Sequence, residues 1–234
     1  MKNRKLTLAL ICALAIACIG VLAGCQNGET AGGLSDADPK DIELSVKGNF
    51  DLFYFAEGNA EYQAKWDISA QDATTIYQNT LQAHIENFAA YFDLDLGMID
   101  QQYIDALGAL LAEAYAQANY SVGSATLDGD VFIVPVTVRP YDPIVNLNAG
   151  FEELVSAWND ACEQKGYEMN SKESEELWAM YLISGLSICM EHGGYLEPAV
   201  VDVHVGLQQD GSNGMYDEDM YAVDGLVLYY PVVE

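Results

Sequence analysis

The hydrophobic period of this chain switches from helical to extended and back, twice, in the same order. Residues Ile42, Val46, Phe50, Phe53 and Tyr54 repeat at helical spacing and stop near Gly58. Ser69 with Asp72 three positions on forms a capping-box signal, and it opens a helix with Tyr77, Leu81, His84, Ile85, Phe88 and Phe92 on one face. Asp93, Asp95 and Gly97 break it, and Tyr103, Leu107, Leu110, Leu111 and Ala114 mark the next helix, up to Asn119. Two strands follow, Tyr120 to Leu127 and Val131 to Val138, with Asp128-Gly129 suited to a two-residue primed turn. Pro135 has no amide donor, so it belongs at an edge or a bulge.

Past Pro140 and Pro143 the order recurs. Phe151, Leu154, Val155, Trp158 and Cys162 make one helical face, ended by Gly166. Asn170 and Glu173 form a second capping-box pattern before a helix with Leu177, Trp178, Tyr181, Leu182, Leu186 and Cys189, and Gly193-Gly194 offers a left-handed stop. Val201, Val203, Val205 and Leu207 alternate with Val200, Asp202, His204 and Gly206, the pattern of a half-exposed strand. Asp210 to Gly214 read as a turn, Met215 and Tyr216 start another strand, and 217–230 fits either a short helix or a strand. The layout predicts an α+β fold with helix pairs packed on antiparallel β-hairpins, helix-helix-strand-strand occurring twice. Residues 41–234 read as one domain, with two subdomains meeting near 140–147 as the alternative.

The first 25 residues follow a different logic. Lys2, Arg4 and Lys5 precede an apolar run of 17 residues from Leu6 to Leu22, then Ala23, Gly24 and Cys25. The run is short for a membrane span, which needs about 20 residues, and a polar, Gly-rich stretch follows it. The pattern is that of a lipoprotein signal peptide, 1–24, whose cleavage leaves Cys25 as the acceptor of a diacylglycerol group. Cleavage removes three of the nine basic residues and no acidic one, leaving 210 residues with 6 basic against 36 acidic, a formal charge of −30. Such a surface repels anionic headgroups and nucleic acid alike, so nucleic acid is excluded as a partner and attachment rests on acyl chains. Residues 25–40 then comprise the lipidated cysteine and a flexible tether reaching roughly 20 Å. The expected location is the extracellular face of the cell membrane.

The lipobox, then Val46, Lys47, Asn49, Phe50, Asp51, Tyr54 and Gly58, and further on Tyr120, Val122, the Asp128-Gly129-Asp130 turn, Val134, Val136, Val138 and Pro140, resemble an uncharacterised family of Gram-positive secreted lipoproteins with an NTF2-like, cystatin-like domain. The resemblance spans most of residues 42–216 and rests on hydrophobic and turn signals. It implies a fold and no catalytic residues. Tyr216 departs from the Trp such chains often carry in the last strand.

The chemistry-bearing residues are few. The sequence holds no Gly-x-Ser-x-Gly elbow, no His-Glu-x-x-His, no P-loop and no Gly-x-Gly-x-x-Gly. Asp202 and His204 lie two apart on a strand, so they share a face and could act as a carboxylate-oriented base. The plainer reading is a polar strand face. His84 sits among core positions, and His192 stands at a helix end where a cation suits the dipole. Asp210, Asn213, Asp217 and Asp219 supply oxygen donors for a weak calcium site, against the plainer reading of a solvated turn. Asp93, Asp95 and Asp100 form a similar cluster between helices, and Asp93 or Asp95 as a cap of the following helix accounts for it. Cys162 and Cys189 would reside in an oxidising compartment, which invites a disulfide. In a straight helical hairpin, however, they stand about 20 Å apart, against the 7 Å or so a disulfide allows, so two buried thiols are favoured. Trp158 and Trp178 fall at core spacing, leaving Tyr229 and Tyr230 as an exposed aromatic patch. No cofactor is implied. These features favour a non-enzymatic module for a small ligand or a protein, with an Asp202/His204 enzyme as the alternative.

Overall fold

The computed structural model describes residues 37–207 and 213–231. The leader, Cys25, most of the tether and Asp210 lie outside the described residues. The architecture is α+β: eight α-helices and one antiparallel sheet among the described residues. Its centre is a pair of nine-residue strands, β3 (Val131–Arg139) and β4 (Ala199–Leu207), in register from Phe132↔Val205 to Val138↔Ala199. Strand alternation sends Phe132, Val134, Val136 and Val138, with Val203 and Val205, into the core. Ile133, Pro135 and Thr137, with Val200, Asp202 and His204, occupy the opposite face. β3 comes from the first half of the pattern and β4 from the second, so the halves share one sheet and one principal core.

β1 (Asn119–Val122) and β2 (Thr126–Asp128) both pair with the other edge of β3, and β5 (Asn213–Met215) pairs with the far edge of β4. One strand was expected where β1 and β2 stand, and Pro135 accounts for the division. Its carbonyl accepts from the Gly123 amide at 2.8 Å. A strand residue's N–H and C=O point to the same side, so the missing N–H of Pro135 faces this break rather than β4. The β3 ladder jumps from Val122↔Val136 to Thr126↔Ile133 across it. A Cβ on Gly123 would lie 2.8 Å from Pro135 Cγ, so only glycine fits. The tight turn that follows is centred one residue later than expected. Asp128 pairs with Val131, leaving Gly129 (φ +63°) and Asp130 at its corners.

Helices cover the buried face of the sheet. α1 (Pro39–Tyr54) is capped by Asp38, whose side chain accepts from Lys40 N at 2.9 Å, and starts on a proline whose missing amide costs nothing there. α2 (Ala60–Lys65) gave no sequence signal. It packs Tyr62 on Gly48 of α1, where an added Cβ would stand 2.0 Å from the ring. α3 (Ala70–Tyr91) opens on the expected capping box, with Ser69 Oγ accepting from Asp72 N at 3.1 Å and Asp72 Oδ2 from Ser69 N at 3.3 Å. A 3-10 turn over Leu96–Met98, capped by Asp95, leads into α4 (Gln101–Tyr115), whose N-cap is Asp100.

The region expected to be mere punctuation holds α5 (Pro143–Ala149), which uses Pro143 as its first residue. α6 (Phe151–Lys165) ends on Gly166 in the left-handed region, as its sequence predicts. α7 (Lys172–Glu191) is capped by Ser171 with Ser174, not by Asn170 with Glu173. Asn170 instead turns the chain at φ +63°. Gly193 and Gly194 do not adopt a left-handed stop. Gly193 is needed because a Cβ there would meet the Tyr141 hydroxyl at 2.6 Å. The ambiguous tail is a helix, α8 (Asp217–Val227), which lays Met220, Val223 and Val227 against β3 and β4.

Gly123→Ala is expected to lower unfolding free energy by about 1–3 kcal/mol, the usual range for overpacking. Pro135→Ala in the same chain should recover part of that loss, because the nearest clashing atom is a proline ring carbon. Urea denaturation of the single and double variants measures both.

Candidate functional site

The two sequence-derived site residues on β4 occupy the sheet face away from the helices. His204 is 38% exposed, and its Nδ1 lies 2.9 Å from Asp219 Oδ2. The same carboxylate oxygen accepts the His204 backbone N–H at 2.8 Å. The carboxylate on this imidazole therefore comes from the first turn of α8. Asp202, on the same strand face, is exposed. Tyr216 stacks on the His204 ring at 6.0 Å between centroids, 19° from parallel. Nδ1 faces the Asp219 carboxylate, which orients the ring and turns Nε2 away from it. The row across the sheet runs Thr126, Ile133, His204, which places the Thr126 residue roughly 10 Å from the histidine residue. The geometry orients an imidazole, on an open sheet face. Nothing in the sequence could pair His204 with Asp219, because their proximity requires α8 to fold back over the end of β4.

The other oxygen donors disperse. Asp217 is exposed in the first turn of α8, where a negative side chain complements the helix N-terminus, and Asp219 is committed to His204. Asn213 begins β5, and Asp210 lies outside the described residues. An open acidic hollow of about 380 Å³ is lined by Asp93, Asp95, Met98, Asn170 and Glu175. Glu175 is buried there and accepts from Asp95 N at 3.4 Å. Asp100 pairs with Lys172, which holds the aspartate carboxyl below its ordinary range and raises the lysine. Among the described residues, no group of three or more His, Cys, Asp or Glu side chains is disposed to hold a metal ion.

Cys162 is buried, Cys189 is half-buried, and both are free thiols. Burial pushes both thiols up, with Glu175 adding to the effect at Cys162 and Asp142 at Cys189. His192 is the exposed C-cap residue of α7. Trp158 and Trp178 are core, and each indole N–H is satisfied by a carbonyl, of Ser174 at 2.9 Å and of Phe92 at 3.0 Å. Tyr229 and Tyr230 do not form an exposed patch. Both are half-buried, and Tyr230 packs edge-on against Tyr91 at 5.1 Å.

A further set of polar side chains lies inside, where hydrophobic periodicity could not reveal it. His84 is 1% exposed, and its Nε2 lies 3.0 Å from Asp224 Oδ1 of α8. Tyr54 donates to the same oxygen at 3.2 Å. The Tyr115 ring lies flat on His84, 3.6 Å between centroids and 6° from parallel. A second knot surrounds Asp51, which accepts from Tyr120 at 2.5 Å, Asn59 at 2.9 Å and Lys47 at 2.6 Å. Burial pushes the Tyr54, Tyr115 and Tyr230 phenols up, with the Asp224 charge adding to it. Tyr120 is raised by burial and by its bond to Asp51, and Tyr62 is pushed up to about 12 by burial. Among the described residues, neither the Tyr62 nor the Tyr230 hydroxyl has a hydrogen bond of regular geometry, with Asn49 near the first and Tyr115 near the second.

No family model matches the chain, and no curated protein matches it. Among solved structures, a candidate lipoprotein, ycdA, from Bacillus subtilis subsp. subtilis str. 168 matches with a TM-score of 0.55 at 15% identity, over 80% of this chain and 56% of that one. The chain thus spans little more than half the length of that protein. At this identity the likeness is one of fold. Among the described residues, no helix is long and apolar enough to cross a membrane.

The raised phenols set a pH limit. A tyrosine whose pKa is higher folded than unfolded contributes stability that is complete below the unfolded value, about 10. That contribution is lost as pH rises toward the folded value, because the unfolded chain releases its protons first. The phenols' contribution to stability should therefore be constant up to about pH 9 and be lost steeply above 10. Phenolate absorbance near 295 nm should rise cooperatively with unfolding. Ionisation of the full complement of 15 tyrosines with the fold intact would contradict this account.

Proposed function

We propose that this protein is a lipoprotein, acylated on Cys25 and moored to the outer face of the cell membrane, where residues 41–234 act as a non-catalytic binding module. The observation that carries the reading is the leader: a basic start, a 17-residue apolar run and a thiol directly after Ala23-Gly24. The fold likeness to the Bacillus subtilis candidate lipoprotein supports it. A helical layer on one face of an antiparallel sheet is also consistent with the NTF2-like, cystatin-like domain that the sequence resembles. The space between helices and sheet is filled by Phe50, Tyr54, Phe88, Leu111, Val134 and Val136, all fully buried. A small ligand or protein would accordingly dock at the surface. A second reading, an extracytoplasmic enzyme, draws on the His204–Asp219 pair with Asp202 beside it. An unchanged binding profile in His204→Asn, with loss of a hydrolytic activity the wild type possesses, would favour that reading.

The anchor is tested by metabolic labelling. Radiolabelled fatty acid should appear on the wild-type protein in a Gram-positive host, and Cys25→Ala should abolish the label and leave the protein uncleaved or released. Label retained on Cys25→Ala, or absent from the wild type, overturns the lipoprotein reading.

A further inference from the structure

α8 is fastened to the body by polar stitches as well as by apolar contact. Of its 11 residues only Met220, Val223 and Val227 are buried, and its N-terminus has no side-chain cap. The stitches run along its whole length. Asp219 holds the ring and the backbone N–H of His204. Asp224 takes the Tyr54 hydroxyl from α1 and faces His84 of α3. The Val227 carbonyl accepts from Tyr141 N at 3.0 Å, and beyond the helix the Pro231 carbonyl accepts from the Tyr91 hydroxyl at 2.9 Å. Two of the chain's three histidines thus each meet an aspartate of this one helix. On its sequence-preceding side, α8 is joined to the sheet by β5, which is three residues long.

We propose that α8 and the turn after it, residues 217–231, form a strap that opens as a unit before the rest of the fold and uncovers an aromatic cleft lined by Tyr54, His84 and Tyr115. Segments that open below the global unfolding energy are those with few buried apolar side chains and hydrogen bonds that water can replace. Residues 217–231 bury four apolar side chains, Met220, Val223, Val227 and Leu228, and their stitches at Asp219, Asp224 and Pro231 are only part-buried, whereas β3 is bonded along both edges, β4 is bonded to β3 along its length, and both are buried on one face. Opening exchanges each stitch for water at small net cost. It leaves the His84 imidazole and the Tyr54 hydroxyl, both aimed at the place of the Asp224 carboxylate, on the wall of the opened cleft.

Hydrogen exchange on the full-length protein in detergent micelles tests the strap, and diethyl pyrocarbonate tests the cleft. Amides of 217–231 should exchange at least about 10-fold faster than those of β3 and β4. Asp224→Asn should speed exchange in 217–231 by about 10-fold again and leave β3 and β4 unchanged, and Asp219→Asn should act in the same direction by a few-fold. His84 should be modified by diethyl pyrocarbonate slowly in the wild type and about 10-fold faster in Asp224→Asn, with exposed His192 as the constant internal control. Equal protection of 217–231 and the central strands, in the wild type alone, overturns the strap. Fast exchange in 217–231 with His84 still unmodified overturns the cleft. If Asp224→Asn does not fold, the wild-type comparison and Asp219→Asn decide the matter.

Discussion

The β3–β4 ladder is the constraint on which the remaining structure depends. It joins two strands more than 60 positions apart in the chain, each following its own group of helices. Its register puts Phe132, Val134 and Val136 beside Val203 and Val205 on one face. A slip of one residue would turn that row to solvent and bring Asp202 and His204 into the core. The helices have one apolar surface to cover, and their own stripes are set accordingly. Most of the principal core is therefore shared between the halves of the chain.

The interior is less apolar than the sequence pattern suggests. Tyr54, Tyr115 and Tyr120 occupy positions that read as core, yet each brings a hydroxyl that must be partnered or left unsatisfied. Asp224 supplies the partner of Tyr54 and Asp51 that of Tyr120, while Tyr115 lies with its ring flat on His84. The arrangement places two carboxylates within a chain that already carries a large negative charge, and it leaves tyrosines from two separate elements, α1 and β1, depending on those two acids. A buried polar network of this kind stabilises one packing arrangement over its neighbours only when each member is satisfied. Asp51, with three donors, meets that condition.

The fold class, most helix positions and both central strands were legible in the sequence, because each rests on a local period or a local cap. Ser69 with Asp72 is the clearest case, since both halves of the interaction lie within one turn. Errors fell where two distant residues decide a local outcome. Gly123 and Pro135 divide the first strand together, and neither announces this alone. The shift of the α7 cap from Asn170 to Ser171 turned on which residue takes a positive φ, and both residue types are good caps. The half-exposed histidine was recognisable as a polar residue on a strand face, but its carboxylate was assigned to Asp202 by proximity in sequence. Asp219 comes from a helix whose very existence the tail sequence left open. His84 was placed at a core position, while its partner 140 residues away could not be inferred from any local pattern.

The division between β1 and β2 matters beyond the turn it makes. An edge strand with a continuous row of unpaired amides and carbonyls is a template for another chain. Here one border of the sheet is cut into pieces of four and three residues; on the other, β5 covers Val205–Leu207 of β4, Asp219 accepts the His204 amide and the Tyr216 amide donates to the His204 carbonyl. The run of β4 left without a strand partner on that border is only Ala199–Val203. At high local concentration, that interruption is a safeguard against copies polymerising side by side.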